Sequence, residues 1–174
     1  MTLPRFISRL TQKFSLILIN SQTIKQVVMS GEFLGTFKNS VNKLKWITIP
    51  AAFKKKFSTQ AKQTIVITLG PNTDIAIYPL DNWNDKIEIL KNGTDRDKQL
   101  LSNLRTFASS EQKMEKNGRI KIGTELLEIA NIKDKVIIKG SGNYISVWSP
   151  QNYEQFRQKR LEEHRKQFNS MDYQ

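Results

Sequence analysis

The side chains that could carry chemistry are few and mostly cationic. His164 is the single histidine and cysteine is absent, which removes thiolate zinc sites, iron–sulfur clusters, cysteine nucleophiles and most Ser-His-Asp arrangements. Asp81, Asp85 and Glu88 fall at the start of a helical pattern, where the helix dipole accounts for them. No Gly-x-x-x-x-Gly-Lys loop and no His-Glu-x-x-His pair occurs. The expectation is therefore a non-enzyme without metal, cofactor or small-molecule substrate. What remains is positive charge: 28 Lys+Arg against 16 Asp+Glu, net +12 over 174 residues. A surplus of that size favours a polyanion, either nucleic acid or an acidic membrane surface. Most of it lies in residues 30–149, with nineteen basic and twelve acidic side chains. Lys54-Lys55-Lys56 reads equally as a phosphate clamp and as a solvated face. Glu115 and Arg119, taken alone, are a cross-turn ion pair of little energy.

The elements that must position these groups come in two copies. Asn42 to Pro50 aligns with Glu115 to Gly123 at a separation of 73 residues, and Phe53 then falls on Leu126. Ile67 to Tyr78 aligns with Ile137 to Trp148 at a separation of 70, and Trp83 on Tyr153. Each unit reads as strand, turn, strand, short helix, strand, turn, strand, helix. Ile47 and Ile49 alternate with Trp46 and Thr48, as Ile120 and Ile122 do with Arg119 and Lys121, the period of a strand with one buried face. Asn117-Gly118 predicts a type I′ hairpin, whereas Leu44-Lys45 in the first copy must turn by another geometry. Pro50 opens a short helix over residues 51–57. Between the units, 80–90 and 97–107 predict helices separated by Asn92-Gly93-Thr94-Asp95, with Leu100, Leu101, Leu104 and Phe107 on one face. The tail predicts an exposed helix with Tyr153, Phe156 and Leu161 on one apolar edge and His164 at its surface. Trp46, Trp83 and Trp148 are expected in core or interface.

Residues 1–29 place Arg5, Arg9 and Lys13 before the apolar run Phe14 to Ile19. That run is too short for a membrane span, which needs about 20 apolar residues, and no small-x-small cleavage site follows. The readings are a disordered basic arm, an amphipathic helix lying on a membrane or neighbour, or a non-native leader, the last favoured because Met29-Ser30-Gly31-Glu32-Phe33 resembles a natural chain start.

The combination of Pro50 and Phe53 after the first turn, Tyr78-Pro79-Leu80 with Trp83, and Gly140, Gly142, Asn143, Trp148 and Ser149 ending the second copy resembles the MraZ family over about Gly31 to Phe156. The resemblance implies an α+β fold of two tandem swapped-hairpin, SpoVT-AbrB-like β-barrel units. Their implied bounds are 30–83 and 109–153, with interunit helices over 84–108, a helical tail over 154–174 and the extension over 1–29. It implies a transcriptional regulator of the division and cell-wall gene cluster, cytoplasmic and nucleoid-associated. Such a regulator binds short direct repeats in double-stranded DNA as a homo-oligomeric ring, with no membrane partner. The family's hallmark is Asp-x-x-x-Arg in the first hairpin of each unit. Here the second copy has Glu115-Lys116-Asn117-Gly118-Arg119, and the first has Asn42-Lys43-Leu44-Lys45-Trp46, without acid or Arg. The implied DNA-binding set is Arg119 as base reader, Glu115 holding its fork, Lys116, Lys121, Lys43 and Lys45 on phosphates, with Asn117 and Asn42 in the turns. Lys45, one residue before the Arg position, is expected to point to the opposite strand face. Alternatives are an RNA-binding protein that stacks Trp46 on bases, and an AbrB-like, antitoxin-type interaction module.

Overall fold

The computed structural model describes residues 29–170, so the basic extension before Met29 lies outside the described residues. Eight strands and five helices follow in order. They are β1 (Thr36–Ser40), β2 (Trp46–Thr48), α1 (Ala51–Lys54), β3 (Thr64–Leu69), β4 (Ile75–Pro79), α2 (Leu80–Lys91), α3 (Asp95–Thr106), β5 (Gln112–Lys113), β6 (Arg119–Lys121), α4 (Thr124–Ile129), β7 (Lys135–Gly140), β8 (Ile145–Trp148) and α5 (Pro150–Ser170).

The strands form an open six-stranded antiparallel sheet, β1-β7-β8-β4-β3-β5, and a separate two-stranded ribbon, β2-β6. The fold is mixed α and β as expected, but no closed barrel forms among the described residues. The pairing also crosses the repeats. β1 and β2 of the first copy pair with β7 and β6 of the second, and β5 of the second pairs with β3 of the first. A pseudo-dyad relates the copies: Ile47 pairs with Ile120 across the ribbon, and Ala76 with Ser146 at the centre of the sheet. Each of these pairs joins positions equivalent under the sequence repeat.

The inner face of the sheet carries Ile65, Ile67, Ile75, Ile77, Ile138, Ile145 and Val147, all buried against Ile47, Ile49, Ile120 and Ile122 from the ribbon. β-Branched side chains suit this pleated, doubly covered surface. Phe53 of α1 and Leu126 of α4 close the core at repeat-equivalent positions, and Phe33 meets Phe53 edge-on at 5.7 Å. The opposite face is covered by helices. Thr68 donates its hydroxyl to the Leu104 carbonyl of α3 (2.9 Å), and Trp148 packs on Tyr153 and Phe156 of α5.

Local sequence sets the start of α3 and the length of α1. α1 is one turn over Ala51–Lys54, shorter than residues 51–57, with single hydrogen-bonded turns carrying the chain to Phe57. α3 begins two residues before the expected 97, because Thr94 and Asp97 form a capping box. The hydrogen bonds from Thr94 hold the Asp97 carboxyl below the usual carboxylate range. Of the apolar face expected on α3, Leu101 is buried, whereas Leu100 stays 44% exposed and lines an open apolar groove with Leu69, Tyr78, Leu104, Phe107 and Tyr144. In α5, His164 is exposed, with its ring 5.2 Å from that of Phe168. No described helix is long and apolar enough to cross a membrane.

Candidate nucleic-acid interface

Alternation along the ribbon decides what faces outward. Ile47, Ile49, Ile120 and Ile122 point into the core, so Trp46, Thr48, Arg119 and Lys121 form the opposite face. Trp46 stands opposite Lys121, and Thr48 opposite Arg119. Trp46 and Arg119 are thus diagonal neighbours, with the guanidinium carbon 5.0 Å from the indole ring centre. Trp46 is half-buried beneath that cation on the outer face, so of the core or interface expected for it the core does not hold. Trp148 is buried on Tyr153 and Phe156, whereas Trp83 is half-buried with its ring 5.7 Å from that of Tyr78.

The two turns share one backbone geometry, contrary to the sequence expectation. Asn42 N–H donates to the Trp46 carbonyl and Lys45 N–H to Asn42, as Glu115 N–H donates to Arg119 and Gly118 N–H to Glu115. These are three-residue loops in which the last loop residue is left-handed: Lys45 at φ +66° and Gly118 at φ +87°. A type I′ turn would need positive φ at Asn117 as well, and Asn117 does not have it. Gly118 is required twice over, since a Cβ there would lie 2.8 Å from Lys54 Cδ and 3.0 Å from the Ile49 carbonyl oxygen. Lys45 consequently sits in the loop and not on a strand, so strand alternation does not place it on the opposite face.

Asn42 Oδ1 accepts from the N–H groups of Leu44 and Trp46 (3.0 and 2.9 Å), and Asn117 Oδ1 from that of Arg119 (3.0 Å). Both amides therefore stabilise their own turns. Because the ribbon is antiparallel, the turns project from its opposite ends, about four residue steps or ~13 Å apart. Lys116, Asn117 and Glu115 gather with Arg119 at one end. Lys43, Lys45 and Asn42 are at the other, on the side of Lys121 and Trp46. Glu115 Oε2 lies 3.8 Å from Arg119 Nε, with the two side chains 43% and 39% exposed. At Nε the carboxylate leaves the end-on pair of terminal amino groups to other acceptors. Lys54 donates its ammonium to the Lys116 carbonyl (2.7 Å), fastening α1 to the second turn, while Lys55 and Lys56 are exposed.

Two residues that sequence reasoning missed brace the ribbon. Gln112 accepts from Lys121 N–H (2.9 Å) and donates to the Lys121 carbonyl (3.2 Å), and Asn39 donates to the Thr48 carbonyl (2.8 Å). These amides occupy backbone groups at the ribbon's edges. Their common 73-residue separation, with a primary amide in both copies, was the available signal.

The outer face thus offers a guanidinium fork flanked by ammonium groups, with Glu115 the single acid between Gln112 and Lys121. Such a set can pair bidentately with a planar acceptor edge and neutralise phosphates on either side. Among the described residues, no cluster of three His, Cys, Asp or Glu side chains could hold a metal.

Residues 107–172 match a family model described as "MraZ protein, putative antitoxin-like". Among curated proteins the chain is similar to the transcriptional regulator MraZ of Oenococcus oeni, 30% identical over 71% of this chain and 85% of the relative. It is similar to that of Mycoplasma mycoides, 30% identical over 70% and 90%, and to that of Thermomicrobium roseum, 27% identical over 70% and 84%. With that identity over most of each relative's length, and with paired repeats carrying equivalent turns, the chain belongs to the MraZ family.

Proposed function

We propose that this chain is a non-catalytic, sequence-specific DNA-binding transcriptional regulator. It binds short direct repeats upstream of the division and cell-wall gene cluster, as a ring of copies on the nucleoid in the cytoplasm. The relatives' names support the regulatory role. The observation that carries the DNA reading is the outward ribbon face, where Arg119 and Lys121 lie between turns bearing Lys116, Lys43 and Lys45. A two-stranded ribbon is of a size that the major groove of B-DNA admits. In this reading Arg119 reads a guanine edge and the lysines supply sequence-independent affinity by releasing counterions.

One ribbon makes few base contacts, so the mechanism is multivalent. Copies assembled in a ring present successive ribbons to successive repeats at high effective concentration. Assembly also offers cover for the sheet edges β1 and β5 and for the apolar groove beside α3. In the same reading, 30–83 and 109–153 are the two repeat units, with 84–108 between them and 154–174 as the tail. The half-exposed Trp46 favours a second reading, stacking on single-stranded RNA.

Purified protein is titrated with the duplex directly upstream of its own gene cluster, with scrambled duplex and with single-stranded RNA, alongside Arg119→Ala. Preference for the upstream duplex, lost in Arg119→Ala, is the expected result. Equal binding to all three, unchanged by the substitution, contradicts the proposal.

A further inference from the structure

Trp46 and Arg119 stand at positions that the pseudo-dyad makes equivalent, yet one is a cation and the other an aromatic platform. The ribbon therefore carries one guanidinium on its outer face where a symmetric pair could stand. Its planar group lies over the indole at 5.0 Å, and Glu115 adds a single long contact at 3.8 Å. An exposed ion pair of that length restrains a side chain weakly. A cation over the indole face is held there by the ring's negative quadrupole, and with Glu115 at Nε the terminal amino groups stay open to other acceptors. Trp46 is itself fixed at the mouth of the first turn: its N–H is held by Asn42 Oδ1 and its carbonyl by Asn42 N–H.

We infer that Trp46 is the positioning residue for Arg119. Where the second repeat carries its cation, the first places an aromatic platform that orients it. Each chain then reads DNA with one guanidinium and a defined direction. This inference rests on the DNA-binding reading above.

The test is a double-mutant cycle on the full chain, measuring affinity for the upstream duplex and for scrambled duplex at two salt concentrations. Trp46→Leu retains apolar bulk on the ribbon and Trp46→Phe retains a π face, so both are expected to fold, with thermal unfolding as the check. Trp46→Leu lowers the ratio of specific to scrambled affinity about 2- to 5-fold, leaves scrambled binding and the salt slope unchanged, and Trp46→Phe recovers most of the ratio. Combined with Arg119→Ala, Trp46→Leu adds no further loss, because its effect passes through the guanidinium. A ratio unchanged in Trp46→Leu, or a loss that adds in full to that of Arg119→Ala, overturns the inference while the regulator reading stands. A wild-type chain with no preference for the upstream duplex overturns both.

Discussion

At the residue scale the proposed DNA reading gives the lysines of the two turns and Arg119 separable duties. Lys43 and Lys116 are exposed on loops at opposite ends of the ribbon, with no base-reading geometry of their own. Replacing either by Ala is expected to weaken upstream and scrambled duplex alike and to reduce the slope of log affinity against log salt by about one. A change in sequence preference from either lysine would contradict this division. Asp74 is a different case. Its carboxyl is buried, Oδ1 accepts from Asn72 N–H (3.0 Å), and Oδ2 has no hydrogen-bond partner among the described residues. Burial pushes its pKa up. The folded state then holds this proton more tightly than the unfolded state. Stability is therefore highest below the unfolded carboxylate pKa and falls as pH rises from there through the folded value. Asp74→Asn removes this dependence. Unfolding free energies at pH 3.5, 5 and 7 should show wild type losing ground to the variant as pH rises, and a constant difference would refute the assignment.

At the element scale the turns give a matched pair of substitutions. Lys45 holds a left-handed conformation that costs a residue with a Cβ about 1 kcal/mol, whereas Gly118 holds its equivalent freely. Lys45→Gly is expected to stabilise the chain by up to ~1 kcal/mol. Gly118→Ala should destabilise it by more than that, since strain at φ +87° is joined by contact with Lys54 and the Ile49 carbonyl. Urea unfolding of both variants measures this, and equal effects would mean the loops are not equivalent. The turn type was misread from the sequence because Asn-Gly is the commonest type I′ signal. Here the left-handed residue is the third of the loop, set by ribbon pairing that closes Ile122 N–H on Lys45 and Ile49 N–H on Gly118. The strand alternation of Ile47, Ile49, Ile120 and Ile122 was legible, because it depends only on the side-chain period.

At the scale of the whole molecule, neither half of the chain owns its core. β1 needs β7, β2 needs β6, and β5 needs β3, each partner lying in the other repeat. Cleaving the gene between Gly93 and Thr94, in the link between α2 and α3, should therefore yield fragments that are not folded as monomers. Mixed in equal amounts, they should regain the native circular dichroism spectrum as a one-to-one complex. A fragment that unfolds cooperatively as a monomer would show that a repeat is self-sufficient.

The amino-acid sequence by itself determined the repeat, the order of elements, the buried isoleucines and the candidate cations, because these depend on local periodicity, turn residues and charge. It did not determine which strands pair. Two copies of nearly the same strand pattern offer near-equivalent partners within and between repeats, and only burial of both sets of isoleucines in one shared core selects the crossed arrangement. The same tertiary choice brings Trp46 of the first repeat beneath Arg119 of the second. That contact spans 73 residues and depends on an antiparallel register that no local pattern in the chain encodes.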